Sequence, residues 1–213
     1  MGQEQYDQWV MTTPAYQQDS LCGGSQISLN ETYFIDKYAK DYILDIGCGT
    51  GHRTFPEWIR RQLDFIGFEK FQNLIDASRY REKIILSDIG NANFQETLTD
   101  KLKDNTSIAF LFGGVINGII DRQKQEITWQ NFKFLLEKCK YILIDTLSHF
   151  SWFDTADNGR EEQLFHLVPT QYFYSKKEIE NLNIRYDIEI CEERTEKIGY
   201  LKRTHYLLRR KKN

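Results

Sequence analysis

Cysteine is scarce and scattered: the four residues Cys22, Cys48, Cys139 and Cys191 include no Cys-x-x-Cys pair. That argues against a zinc site and against a disulfide framework; reduced, mostly buried thiols and a cytoplasmic location are expected instead, with no metal. Positive charge is not in excess either. Lys and Arg number 28 against 31 Asp and Glu, a formal net charge of −3, so the chain as a whole lacks the field of a nucleic-acid binder. The basic run at the end, Arg209, Arg210, Lys211 and Lys212, reads either as a solvated tail or as a group that steers an anionic substrate. No window approaches a membrane span, and the N-terminus carries charges and glutamines rather than an apolar core with a cleavage site. Internal repeats and low-complexity tracts are also missing.

What is present is ordinary globular composition. The 213 residues are 40% hydrophobic and 28% charged, enough for one sizeable core. The most informative stretch runs from Tyr42 to Gly51, Tyr-Ile-Leu-Asp-Ile-Gly-Cys-Gly-Thr-Gly. Its first half suits a strand buried on both faces of a parallel sheet. Its second half is a glycine turn that brings backbone close to a ligand. A helix pattern follows, with Pro56 in its first turn. The spacing is not that of a dinucleotide fingerprint, because His52 stands where a third glycine is required, and no Gly-Lys-Ser/Thr follows for a phosphate loop.

The octet Leu44-Asp45-Ile46-Gly47-Cys48-Gly49-Thr50-Gly51 resembles the first motif of the class I S-adenosylmethionine-dependent methyltransferases. The resemblance implies an open, mostly parallel seven-stranded α/β sheet with helices on both faces, closed by a C-terminal antiparallel hairpin. It also implies S-adenosylmethionine as cofactor, with Asp45, Gly47, Cys48, Gly49 and Gly51 around its methionine part. Asp64–Glu69 reads as the second strand, and Glu69 lies 18 positions after Gly51, near the separation at which such sheets set a carboxylate against ribose hydroxyls. Lys70 follows it into the same wall. At the end of a third strand, Lys83–Asp88, the resemblance gives Asp88 and Ile89 to the adenine ring.

A fourth strand, Ser107–Phe112, runs into Gly113-Gly114. Gly113 is expected to let the backbone approach the cofactor, and Asn117 either reaches the methyl-transfer space or caps the next turn of helix. The Asn/Asp-Pro-Pro-aromatic run of nucleobase amino methyltransferases is not found here. Thr128 is expected to start the strongest helix and Tyr141–Asp145 to form a fifth strand. Residues 146–174 read as a long aromatic insertion walling the substrate side, with Asp145, Trp152 and Tyr172 as candidate substrate contacts. Two capping boxes, Ser28-x-x-Glu31 and Ser175-x-x-Glu178, mark helix starts. Strands over Ile184–Cys191 and Thr204–Leu208 close the domain.

The expected organisation is a helical extension or lid over residues 1–40, with a short helix near Gln5–Met11, and a methyltransferase domain over 41–213. The substrate expected is a small molecule accepting a methyl group on an amine or hydroxyl. An RNA or protein methyltransferase of the same fold and a non-catalytic cofactor-binding module are the alternatives. His149 and His205 are the candidate bases, should the nucleophile have a proton to lose.

Overall fold

The apolar runs expected as central strands do form the middle of one sheet. The structure, a computed structural model, describes residues 3–14, 26–103, 106–149, 155–163, 170–198 and 201–212, with the side chains of residues 149 and 198 left out. Strands β1 (Tyr42–Ile46), β2 (Asp64–Glu69), β3 (Ile84–Leu86), β4 (Thr106–Leu111) and β5 (Tyr141–His149) run parallel in the order β3-β2-β1-β4-β5. Beyond β5, the antiparallel β9 (Leu201–Arg210) and then β8 (Ile188–Ile198) complete seven strands. The fold is thus the open α/β sheet with a terminal antiparallel pair that the motif implied.

Alternation along β1 and β4 sends side chains into two cores, which is why these strands read as unbroken apolar runs. Leu44, Ala109 and Leu111 meet Trp129 and Phe132 of helix α6 (Arg122–Lys138) on one face. Ile43 and Phe110 meet Phe34 of α2 (Leu29–Tyr38) and Trp58 of α3 (Phe55–Arg60) on the other. The remaining described helices are α1 (Gln3–Thr12), α4 (Gln72–Asp76), α5 (Phe94–Thr99) and α7 (Lys176–Arg185). No helix among the described residues is long and apolar enough to cross a membrane.

Several boundaries differ from expectation for visible reasons. Helix α6 begins at Arg122, well before Thr128, because Asp121 caps it by accepting the Lys124 amide at 2.8 Å. Strand β5 continues to His149 because β9 supplies pairing partners that far, ending with His149 opposite Leu201. Ile184 belongs to α7 and is exposed; the strand starts at Ile188, after Asp187 turns the chain with φ 58°. A two-stranded sheet of β6 (Arg160–Glu162) and β7 (Gln171–Phe173) lies inside the aromatic insertion. The Ser28–Glu31 capping box is complete. At Ser175 only half forms, since the Glu178 carboxylate instead accepts from the Tyr172 hydroxyl and the Gly159 amide, both at 2.7 Å.

Candidate functional site

In β1 and β2, Asp45 stands opposite Gly67 and Ile46 opposite Phe68, so both strands deliver their C-terminal residues to the same edge. There the glycine turn closes onto β2: the Gly47 amide donates to the Phe68 carbonyl at 2.7 Å. Glu69 completes the closure. Its Oε2 accepts the Gly49 amide at 2.8 Å and its Oε1 the amides of Lys70 and Phe71 at 2.9 and 3.0 Å. Three of the roughly four lone-pair positions of a carboxylate are therefore used by backbone. Burial pushes the Glu69 pKa up, against these three amides and Lys70, which all favour the anion. Asp45 accepts from the Trp58 indole at 3.0 Å, and burial raises its pKa as well.

The facing wall comes from the turn after β4. Gly113 and Gly114 have φ of 80° and 73°. Their amides both point at Asp145 of β5, at 3.1 and 2.7 Å, and the Arg203 Nε of β9 lies 3.4 Å from the same carboxylate. Asn117 pins the next turn. It accepts the Leu147 amide at 3.0 Å and donates to the Tyr172 carbonyl at 2.7 Å.

Between the two walls is a cavity. Of the residues expected around a cofactor, Asp45, Gly47, Cys48, Gly49, Glu69, Lys70, Asp88, Ile89 and Gly113 all line it. Gly51 does not; a side chain there would strike the Phe55 ring. At Gly49, with φ 59°, a Cβ would meet nothing within 4 Å, and this position lines the cavity. Asp88 accepts the Gly90 amide at 2.8 Å and the Lys124 ammonium at 3.1 Å. The Cys48 thiol is held neutral, its pKa driven well up by burial and by the Asp45 and Glu69 carboxylates.

The expected substrate contacts are placed differently. Asn117 and Asp145 are fully buried and spend their polar atoms on backbone, and Tyr172 sits in the core beneath the Arg122 guanidinium; none of the three lines the cavity. Nor does His205, which is fully buried beside Phe34 and Phe112. The side chain of His149 and all of Trp152 lie outside the described residues. Sequence reasoning missed several wall residues. His52 and Arg53 follow directly on the glycine turn, and their signal was their position one and two residues past Gly51. Phe112 and Val115 flank the second glycine pair. Tyr6, Trp9 and Val10, from the segment read as a lid or extension, line the cavity too.

Helix α1 is tied to both walls. Lys70 Nζ meets Asp7 at 2.6 Å and the Asn73 amide reaches the Val10 carbonyl at 3.1 Å. On the other side, Gln3 donates to the Gly118 carbonyl at 3.0 Å and accepts the Ile120 amide at 2.8 Å.

No protein-family model matches the chain, and no curated protein matches it in sequence. Solved structures do. The Burkholderia thailandensis 1,6-didemethyltoxoflavin N1-methyltransferase, solved with 1,6-didemethyltoxoflavin and S-adenosylhomocysteine, is similar with a TM-score of 0.59 and 11% identity, over 85% of this chain and 76% of that one. The glycopeptide N-methyltransferase MtfA gives 0.60 and 10% identity over 91% and 99%. A Leishmania major S-adenosylmethionine-dependent methyltransferase gives 0.61 and 15% identity over 97% and 82%. The fold is that of the class I S-adenosylmethionine-dependent methyltransferases.

Proposed function

We propose that the protein is an S-adenosylmethionine-dependent methyltransferase that moves a methyl group to an amine or hydroxyl of a small molecule. The observation that carries this reading is the open space beside Gly49, enclosed by Glu69 on one side and the Gly113 backbone on the other. A side-chain-free position, a buried carboxylate and a glycine turn are what an adenosyl sulfonium needs from a protein.

The chain's own groups divide the work. Glu69 keeps one acceptor position for a ribose hydroxyl while its other positions hold the glycine turn in shape. Asp88 and the Ile89 backbone stand where an adenine edge would be read. The sulfonium, when bound, supplies an already electrophilic methyl. What remains for the protein is to align a nucleophile at about 3–3.5 Å and exclude water. Tyr6, Trp9 and Val10 serve the second task as a lid. Toward the acceptor, the cavity wall offers His52, Arg53 and Phe112. His52, whose Nδ1 is 2.9 Å from the Thr50 hydroxyl, takes the place of His205 as the candidate base, because it alone of these two lines the cavity.

Calorimetric titration with S-adenosylmethionine tests the site, using the wild type, Gly49→Val and Glu69→Ala. Binding that survives unchanged in both variants rejects it. Release of S-adenosylhomocysteine on incubation with pooled small metabolites, compared with pooled RNA, tests the acceptor class. Turnover confined to the RNA arm overturns the small-molecule assignment.

A further inference from the structure

Next to the cavity, behind Arg53, lies a polar cluster for which methyl transfer has no use. Glu31 from the first turn of α2, Asp145 from β5 and His205 from β9 are all fully buried, and one ligand atom from each lies within 4.8 Å of the others. His205 and Asp145 are cross-strand partners, so the sheet itself fixes their separation. Neither nitrogen of the His205 ring has a hydrogen-bond partner. Such a group is rare in a fully buried setting, since buried polar atoms are nearly always paired.

The distances say what is missing. His205 Nε2 is 3.8 Å from Glu31 Oε1 and 4.0 Å from Glu196 Oε1. Both are too long for an N–H···O bond, so a proton on that nitrogen has no acceptor in reach. Two ligands of one transition-metal ion, each roughly 2.0–2.2 Å from it, stand about 3.3–3.8 Å apart at tetrahedral or trigonal angles. Charge points the same way. Glu31, Asp145 and Glu196 bring three negative charges and the arginines Arg53 and Arg203 two positive ones, which leaves a surplus of one negative charge. Arg53 Nη2 already lies 2.5 Å from Glu31 Oε1 and 2.6 Å from its Oε2, and Arg203 Nε lies 3.4 Å from Asp145 Oδ2, so each carboxylate has only its remaining lone pairs to offer an ion. The arginines orient the ligands, as outer-shell partners do, while limiting affinity by their charge.

We propose that Glu31, Asp145 and His205 form a binding site for a divalent first-row cation of the zinc or manganese type. One imidazole and two carboxylates are a nitrogen and oxygen donor set suited to these ions. The expectation of no metal rested on the lack of paired cysteines, which speaks to thiolate ligands, and this set contains no thiolate. Arg53 both lines the cavity and bonds Glu31, and so links the cavity to the cluster. The proposal is independent of methyl transfer, and its test uses no turnover.

The 213-residue protein, stripped with chelator, is titrated by calorimetry with zinc chloride and with manganese chloride, each alone. The expected result is one ion per chain for at least one metal, weakened more than about tenfold in His205→Gln and in Asp145→Asn. Manganese should also broaden the ring-proton resonances of a single solvent-shielded histidine in the wild type, a readout that needs no variant. Absence of saturable binding by either metal overturns the proposal. So does binding that His205→Gln leaves intact, or a metal-free spectrum in which His205 is an imidazolium hydrogen-bonded to Glu31.

Discussion

Asp145 accepts the amides of both Gly113 and Gly114, at 3.1 and 2.7 Å, from a strand more than thirty residues further along the chain. A residue that sequence alone set in the substrate pocket is therefore what shapes the pocket's wall. Each of the two glycines has a left-handed backbone, and the carboxylate satisfies the donors that this conformation turns inward.

Replacing Asp145 with Ala should consequently cost about 2–5 kcal/mol, because it leaves two amides unpaired and the Arg203 charge without its buried partner. Urea unfolding gives the stability loss. Calorimetry with S-adenosylmethionine should show weaker binding in Asp145→Asn, whose amide cannot accept both N–H groups with the same geometry. A stable variant that binds as the wild type does would show the Gly113–Gly114 turn to be self-supporting.

The glycines of the first turn should separate by readout. Ala at Gly49 meets no neighbour and carries only the strain of φ 59°, about 1–2 kcal/mol, so the variant should fold. Ala at Gly51 carries the same strain and also meets the Phe55 ring, which is wholly buried and has no room to move. Overpacking adds roughly 1–3 kcal/mol there. Thermal melts should therefore show Gly51→Ala as the less stable protein, and titration should show the bulkier Gly49→Val as the one that folds yet fails to bind cofactor. Equal melting temperatures for Gly49→Ala and Gly51→Ala would contradict the packing seen around Phe55.

How much of this was legible in the sequence follows from how local each feature is. Strand β1 and its turn announce themselves because an apolar run and three glycines sit within ten residues. Glu69 was reachable because the length of one helix and strand fixes its distance from the turn. Asp145 and Asn117 were found as residues but not as roles. An Asp or Asn side chain serves a ligand or a backbone equally well, and the partners here, Gly113, Gly114, Leu147 and Tyr172, come close only once β4, β5 and β7 are packed. The His205–Glu31 approach was invisible for the same reason, joining the two ends of the chain. His52 and Arg53 stood in plain view beside the motif, yet their direction depends on how the turn leaves the sheet.

Glu31 makes a pH prediction with a definite sign. Burial pushes its pKa up, but the groups around it that favour the anion, the Arg53 guanidinium and the Ser28 amide among them, outweigh that and bring it down to about 2 from an ordinary value of 4.5. A depressed folded-state pKa stabilises above the unfolded value and is lost as pH falls. The contribution, about 3 kcal/mol at 1.36 kcal/mol per unit, should thus be full above pH 4.5 and disappear toward pH 2. Glu69 and Asp45, raised by burial, act with the opposite sign. In metal-free buffer, urea midpoints measured from pH 6 to pH 2 should fall less steeply for Glu31→Gln than for the wild type, from a lower start. An identical slope would show that Glu31 is not held as the anion.

Helix α1 supplies the last prediction. Of its residues only Val10 is buried, while Tyr6, Trp9 and Val10 line the cavity, so the helix adds little to the core and is placed to act as a lid. Its ion pair, Asp7 with Lys70, is partly exposed, and such pairs contribute about 1 kcal/mol or less and are screened by salt. Deletion of residues 1–14 should leave a folded protein with a melting temperature within a few degrees of the wild type. It should weaken S-adenosylmethionine binding, chiefly through a faster off-rate, because a cover slows escape more than it speeds entry. Trp9→Ala should reproduce part of that effect, and Asp7→Ala a smaller part that vanishes in high salt. Stopped-flow displacement of bound cofactor measures all three. A truncated chain that unfolds would instead make α1 part of the domain's core, and unchanged off-rates would remove its role as a lid.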